Sequence, residues 1–135
     1  VVADTGAIYA LLDRDDDWYA RVHEWWRSTS SRVVLPHLIL PEVAWLVQQR
    51  LGAAAEAVFV RSLADGQWLL EELAMEDLPT VAALVERYRG LPLGFVDAAV
   101  LAMAQRLRAD AILTTDRRHF TVARLPDGTA PRLLP

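Results

Sequence analysis

Phe95 to Asp110 reads FVDAAVLAMAQRLRAD, a helical pattern so nearly apolar all round that it has no face to give to water over its first ten residues. Such a helix has to be enclosed, and the rest of the chain indicates by what. Short apolar, β-branched segments alternate with helical ones. A strand ending at Asp4 leads through Thr5 and Gly6 into a helix carrying Ile8, Leu11 and Leu12, and Trp18, Val22, Trp25 and Trp26 recur at helical spacing. RVVLP is a second strand closed by Pro36. Pro41 suits the first turn of a helix that runs to Gly52, and AAAEAVFVRSLADG makes another ending near Gly66. QWLLEEL reads as a third strand, DLPTVAALVERYRG as a helix with Asp77 near its start, and AILTT as a fourth strand. TAPRLLP is a possible fifth, demoted to an edge by its prolines. Strands alternating with helices imply a parallel sheet covered on both faces. The expected fold is a single α/β domain over residues 1–135, a three-layer α/β/α sandwich with a mostly parallel four- or five-stranded sheet.

With 135 residues, 53% of them hydrophobic, the chain is long enough to enclose one core. No apolar run approaches the roughly 18 residues of a membrane span. Without a signal-like apolar segment near the start, the expected location is the cytoplasm, with no membrane association. The chain has no cysteine, which excludes disulfides and thiolate metal sites. All fourteen basic residues are Arg, which excludes a phosphate-loop lysine and a lysine Schiff base. A net charge of -4 gives no global footprint for nucleic acid, so any such binding must rest on a local patch.

Four acids stand where an apolar environment is expected. Asp4 and Asp116 each directly follow an apolar strand, and a parallel sheet brings the carboxyl ends of its strands to one edge, where ligands of open α/β sheets collect. Asp97 is the sole ionisable side chain in FVDAAVLAMA, and Glu42 lies between LILP and VAWLV. An isolated ionised carboxylate in such a place costs several kcal/mol or more unless cations or N–H donors face it. Helix capping would account for each acid singly, because Asp97 and Glu42 fall in first turns and Asp4 and Asp116 precede helices. Capping does not account for all four converging on one edge. Four carboxylates gathered there need divalent cations to remain ionised, and oxygen ligation without cysteine favours Mg²⁺ or Mn²⁺ over Zn²⁺. Metals so held activate water and stabilise charge on phosphoryl oxygens, which makes phosphodiester hydrolysis the natural chemistry.

The segments VVADTGAIYALLDRDD, LPHLILPEVAWLV, LGFVDAAVLAMAQRLRADAILTTDRRHF and APRLLP, in that order and spacing, resemble the PIN-domain ribonucleases. Within them they are similar to the VapC-type toxins of toxin-antitoxin pairs. The resemblance runs nearly end to end. It implies an RNA endonuclease whose Mg²⁺ or Mn²⁺ is held by Asp4, Asp97 and Asp116, with Glu42 as a fourth catalytic acid acting directly or through water. Thr5 and Thr114 would support the site. It also implies a homodimer and a small antitoxin protein as partner. Many relatives carry another acid soon after the last strand aspartate, where this chain has Arg117, Arg118 and His119.

Arg117 and Arg118 are either contacts for RNA phosphate, through their bidentate forks, or two solvated arginines. For His119, packing beside Phe120 or plain exposure is expected over a role as base or ligand. DTG at Asp4 to Gly6 also occurs in aspartic proteases, but those are all-β and this chain is mostly helical. Most of the five tryptophans are expected in the core, with one of Trp25 and Trp26 turned towards a partner. Two alternatives remain beside the ribonuclease: a non-catalytic α/β interaction module whose acids only cap helices, and a metal-dependent DNA nuclease or phosphatase.

Overall fold

A computed structural model describes residues 1–91 and 93–135. Its elements follow the expected alternation: β1 (Val2–Ala3), α1 (Thr5–Leu12), α2 (Tyr19–Ser28), β2 (Val34–Pro36), α3 (Leu40–Leu51), α4 (Ala53–Ala64), β3 (Leu69–Glu71), α5 (Leu78–Arg87), α6 (Phe95–Arg106), β4 (Ile112–Leu113), α7 (Arg117–Val122) and β5 (Leu133–Leu134). Single 3-10 turns, His37–Ile39 and Met75–Asp77, lead into α3 and α5.

The five strands form one sheet in the order β3-β2-β1-β4-β5, every neighbouring pair parallel. β1 is central, with Val2 in register with Val34 on one side and Ile112 on the other. The strands are only two or three residues long, shorter than the apolar segments suggest, and QWLLEEL contributes Leu69–Glu71 alone. Helices therefore supply most of the core. In α6 every residue from Ala98 to Met103 is at most 2% exposed, and the helix lies against β1 and pairs with α5. On the other side α1, α3 and α4 pack in succession, with α2 against α1. The helix beginning at Phe95 stops at Arg106, short of Asp110, because Arg108 adopts φ 49° and turns the chain into β4.

Asp77 does not cap α5 through its side chain. It is 2% exposed and receives the Arg106 guanidinium at 2.9 Å and the Ala74 N–H at 2.9 Å. Arg106 also reaches Glu71 at 3.0 Å, so one guanidinium ties the ends of β3, α5 and α6 together. Trp25, Trp26, Trp68 and Phe59 form a chain of tilted and edge-on contacts with centroids 5.7 to 6.5 Å apart. Both Trp25 and Trp26 are half-buried, and Trp45 is the exposed tryptophan, at 59%. No helix of the described residues is long and apolar enough to cross a membrane.

Candidate active site

The buried polar side chains among the described residues are Asp4, Thr5, Asp77 and Thr114, and three of these lie where β1 and β4 end. β1 places Asp4 by pairing: its N–H donates to the Leu113 carbonyl at 2.9 Å. The chain then turns straight into α1, so Asp4 is also the cap of that helix and its Oδ1 accepts the Thr5 N–H at 2.6 Å. Its other oxygen, Oδ2, accepts the Thr114 hydroxyl at 2.8 Å. The Thr114 oxygen in turn accepts the Asp116 N–H at 2.9 Å, so this one hydroxyl holds Asp4 and the backbone of Asp116 in fixed relation. Gly6 allows the close approach of α1 to the turn after β4, since a Cβ there would collide with the Thr115 hydroxyl.

Glu42 enters from the first turn of α3. That helix buries Val43 and Val47 and leaves Glu42 exposed, so its setting is a rim and not the apolar pocket that LILPEVAWLV suggests. The Thr5 hydroxyl donates to its Oε2 at 2.9 Å and holds it towards the site. Asp97 enters from the first turn of α6, with 22% of its side chain exposed. Asp116 caps α7, its Oδ1 accepting the His119 N–H at 3.0 Å. Capping and convergence therefore coexist: Asp4 and Asp116 cap their helices, Glu42 and Asp97 stand in first turns without capping, and all four helix N-termini meet at one edge of the sheet.

The acids also act on one another electrostatically. Burial pushes the Asp4 carboxyl up from 3.8 to about 6, opposed by its hydrogen bonds and reinforced by the charges of Asp97 and Asp116. Asp97 is also raised, by burial first, then by Asp116 and, less, by Glu42. Asp4 and Asp97 therefore lie in the field of neighbouring carboxylates, a situation that favours a divalent cation.

His119 departs from expectation. Its ring is 20% exposed, its Nδ1 lies 2.6 Å from Asp116 Oδ2 and 3.8 Å from Asp97 Oδ2, and its Nε2 is buried without a partner. Ligand atoms of Asp97, Asp116 and His119 all lie within 4.8 Å of one another, an arrangement able to hold a metal ion. The signal was the Asp-x-x-His spacing, which places both side chains on one face once a helix starts at Asp116. Arg117 is neither free nor aimed at the acids. Its guanidinium donates to the Pro135 carbonyl and lies 5.6 Å over the Trp18 ring, whereas Arg118 is exposed.

The family model for the PIN domain matches residues 1–125. This chain belongs to the PIN-domain family. Among curated proteins it is similar to ribonuclease VapC26 of Mycobacterium tuberculosis, with 33% identity over the full length of both chains. Among solved structures, Mycobacterium tuberculosis VapC20, described as a sarcin-ricin loop cleaving toxin, superposes with a TM-score of 0.78. The match has 19% identity and covers 87% of this chain and 90% of that one. The DNA-bound VapBC complex of Salmonella typhimurium gives a TM-score of 0.70 at 16% identity, covering 98% of this chain and 94% of that chain. The fold of these proteins is thus the fold found here, with the PIN domain's acidic edge built from residues that fit a divalent cation in charge and donor type.

Proposed function

We propose that this protein is a metal-dependent PIN-domain endoribonuclease, a single unit over residues 1–135 that acts in the cytoplasm as the toxin of a toxin-antitoxin pair. The observation that carries the proposal is the set of four carboxylates at one sheet edge, with Asp4 buried and its carboxyl raised by that burial first and then by the charges of Asp97 and Asp116. Asp4, Asp97 and Asp116 are the residues to hold Mg²⁺ or Mn²⁺, with Glu42 as the fourth acid, directly or through water. A bound ion of this type supplies an activated water and a counter-charge for the phosphoryl oxygens.

The chain's own residues prepare that site. Thr114 orients Asp4, and Thr5 fixes Glu42 at the rim, where it can meet substrate without itself being desolvated. Arg118, exposed one residue from the Asp116–Arg117 turn, is the available contact for RNA phosphate. Arg117 contributes through its fixed place against Trp18 and Pro135. RNA as substrate is supported by the ribonuclease name of the 33% identical relative. A small antitoxin as partner is supported by the toxin-antitoxin complexes among the structural neighbours, including one from Klebsiella pneumoniae. The expected assembly is a homodimer.

The test is a pair of variants, Asp97→Asn and Asp116→Asn, assayed with Mg²⁺ or Mn²⁺ on RNA, single-stranded DNA and a phosphomonoester. Loss of RNA cleavage and of growth inhibition, with circular dichroism unchanged, is the expected result. Undiminished RNA cleavage by either variant would refute the assignment of the site. Cleavage confined to DNA or the monoester would refute the substrate, and no activity or metal binding in the unmodified protein would favour an interaction module.

A further inference from the structure

We propose that His119 is a metal ligand, its Nδ1 joining Asp97 and Asp116 in a mixed nitrogen and oxygen site that favours Mn²⁺ over Mg²⁺. The inference rests on reading the acid cluster as a metal centre and goes on to name the ion.

The tightest ligand group is not the three aspartates. It is Asp97, Asp116 and His119, whose donor atoms lie within 4.8 Å of one another, with Nδ1 at 2.6 Å and 3.8 Å from the two carboxylate oxygens. Adjacent ligands on an ion bound at about 2.1 Å stand about 3 Å apart, so these separations bracket what one coordination sphere requires. Asp4 lies deeper, engaged by the Thr5 N–H on one oxygen and the Thr114 hydroxyl on the other. Asp116 and His119 are held relative to each other by their helix, because Asp116 caps α7 and accepts the His119 N–H.

The ring's other edge makes no polar contact. Nε2 is buried with no hydrogen-bond partner, a position that costs free energy and returns nothing by itself. All polar engagement of the ring is through Nδ1, on the side of the acids. A carboxylate oxygen only accepts, so the 2.6 Å contact with Asp116 keeps the ring proton on Nδ1 in the metal-free protein, and an ion takes the Nδ1 lone pair by displacing that proton to Nε2.

Imidazole changes which ion is preferred. Carboxylate and water suit Mg²⁺ and Mn²⁺ about alike, whereas a nitrogen donor is a poor match for Mg²⁺ and a better one for first-row transition metals. Replacing a carboxylate ligand by imidazole also leaves one fewer negative charge on the site, which penalises the harder ion most.

The test uses the metals alone on the full chain. Electron spin-echo envelope modulation of the Mn²⁺-loaded protein is expected to show ¹⁴N coupling from a directly bound imidazole, and His119→Asp to abolish it. Titration with MnCl₂ and MgCl₂ is expected to show His119→Asp losing selectivity, the ratio of the two dissociation constants shifting by about tenfold towards Mg²⁺. Mn²⁺ binding without nitrogen coupling, or coupling that persists in His119→Asp, would overturn the ligand assignment while leaving the metal centre standing. An unchanged selectivity ratio would do the same. Failure of either ion to bind the unmodified protein would overturn the metal centre itself. If His119→Asp does not fold, the spin-echo spectrum of the unmodified protein still decides.

Discussion

Asp4→Asn is expected to abolish cleavage and yet, in the absence of metal, to make the protein more stable. Burial, with the charges of Asp97 and Asp116, pushes the Asp4 carboxyl from 3.8 to about 6. An acid raised in the fold binds its proton more tightly folded than unfolded, so its penalty is absent well below pH 4, grows between about pH 4 and 6, and is complete above. At pH 7.5 the penalty is about 3 kcal/mol. Asn carries no charge, and its oxygen still accepts the Thr5 N–H. Its amide then faces the Thr114 hydroxyl, which already accepts the Asp116 N–H and must turn its proton elsewhere, at a cost of about 1 kcal/mol. The net gain is about 2 kcal/mol at pH 7.5, or about 6 °C in Tm for a domain of this size. At pH 4.5 the penalty in the unmodified protein falls to about 1 kcal/mol, so the two proteins should unfold together. Thermal unfolding in EDTA, followed by circular dichroism at both pH values, measures this. A variant no more stable than the parent at pH 7.5, or equally favoured at both pH values, would refute the electrostatic account of Asp4.

Two further changes test the frame around the site. Arg106→Met leaves Asp77 buried beside its backbone donor but without its cation, and urea unfolding should show a loss of about 3 kcal/mol. Gly6→Ala sets a methyl against the Thr115 hydroxyl, which must turn away or let α1 shift, and should cost about 1 to 3 kcal/mol along with part of the activity; adding Thr115→Ala should return a large part of both. Additive effects in that double variant would show that the contact is not the cause.

Much of the site was legible because it sits at the ends of elements with strong patterns. Asp4 and Asp116 are marked by the apolar segments they close, and Asp97 by the length of apolar helix around it. Glu42 was placed on the right element but in the wrong environment. Which side of α3 meets the core is decided by Val43 and Val47 packing inward, and a first-turn residue beside them can face outward all the same. For His119 the sequence favours packing or exposure over a role as base or ligand, because its setting depends on where α7 begins, a boundary that propensity alone locates poorly in a six-residue helix. Arg117 could not have been read locally, since its partners Trp18 and Pro135 come from distant segments. The same holds for Asp77 and Arg106, which are 29 residues apart.

The central position of β1 bears on when the acidic edge can assemble during synthesis. Asp4 is made before the other three acids, but the hydroxyl that orients it is 110 residues further along, and Asp116 follows that. At about 5 to 20 residues per second, roughly 5 to 20 seconds separate Asp4 from the residues of β4, with Glu42 and Asp97 made in between. No nascent fragment that ends before β4 contains the arrangement. Assembly of the acidic edge therefore waits for β4 and for the turn into α7, however early β1 is made.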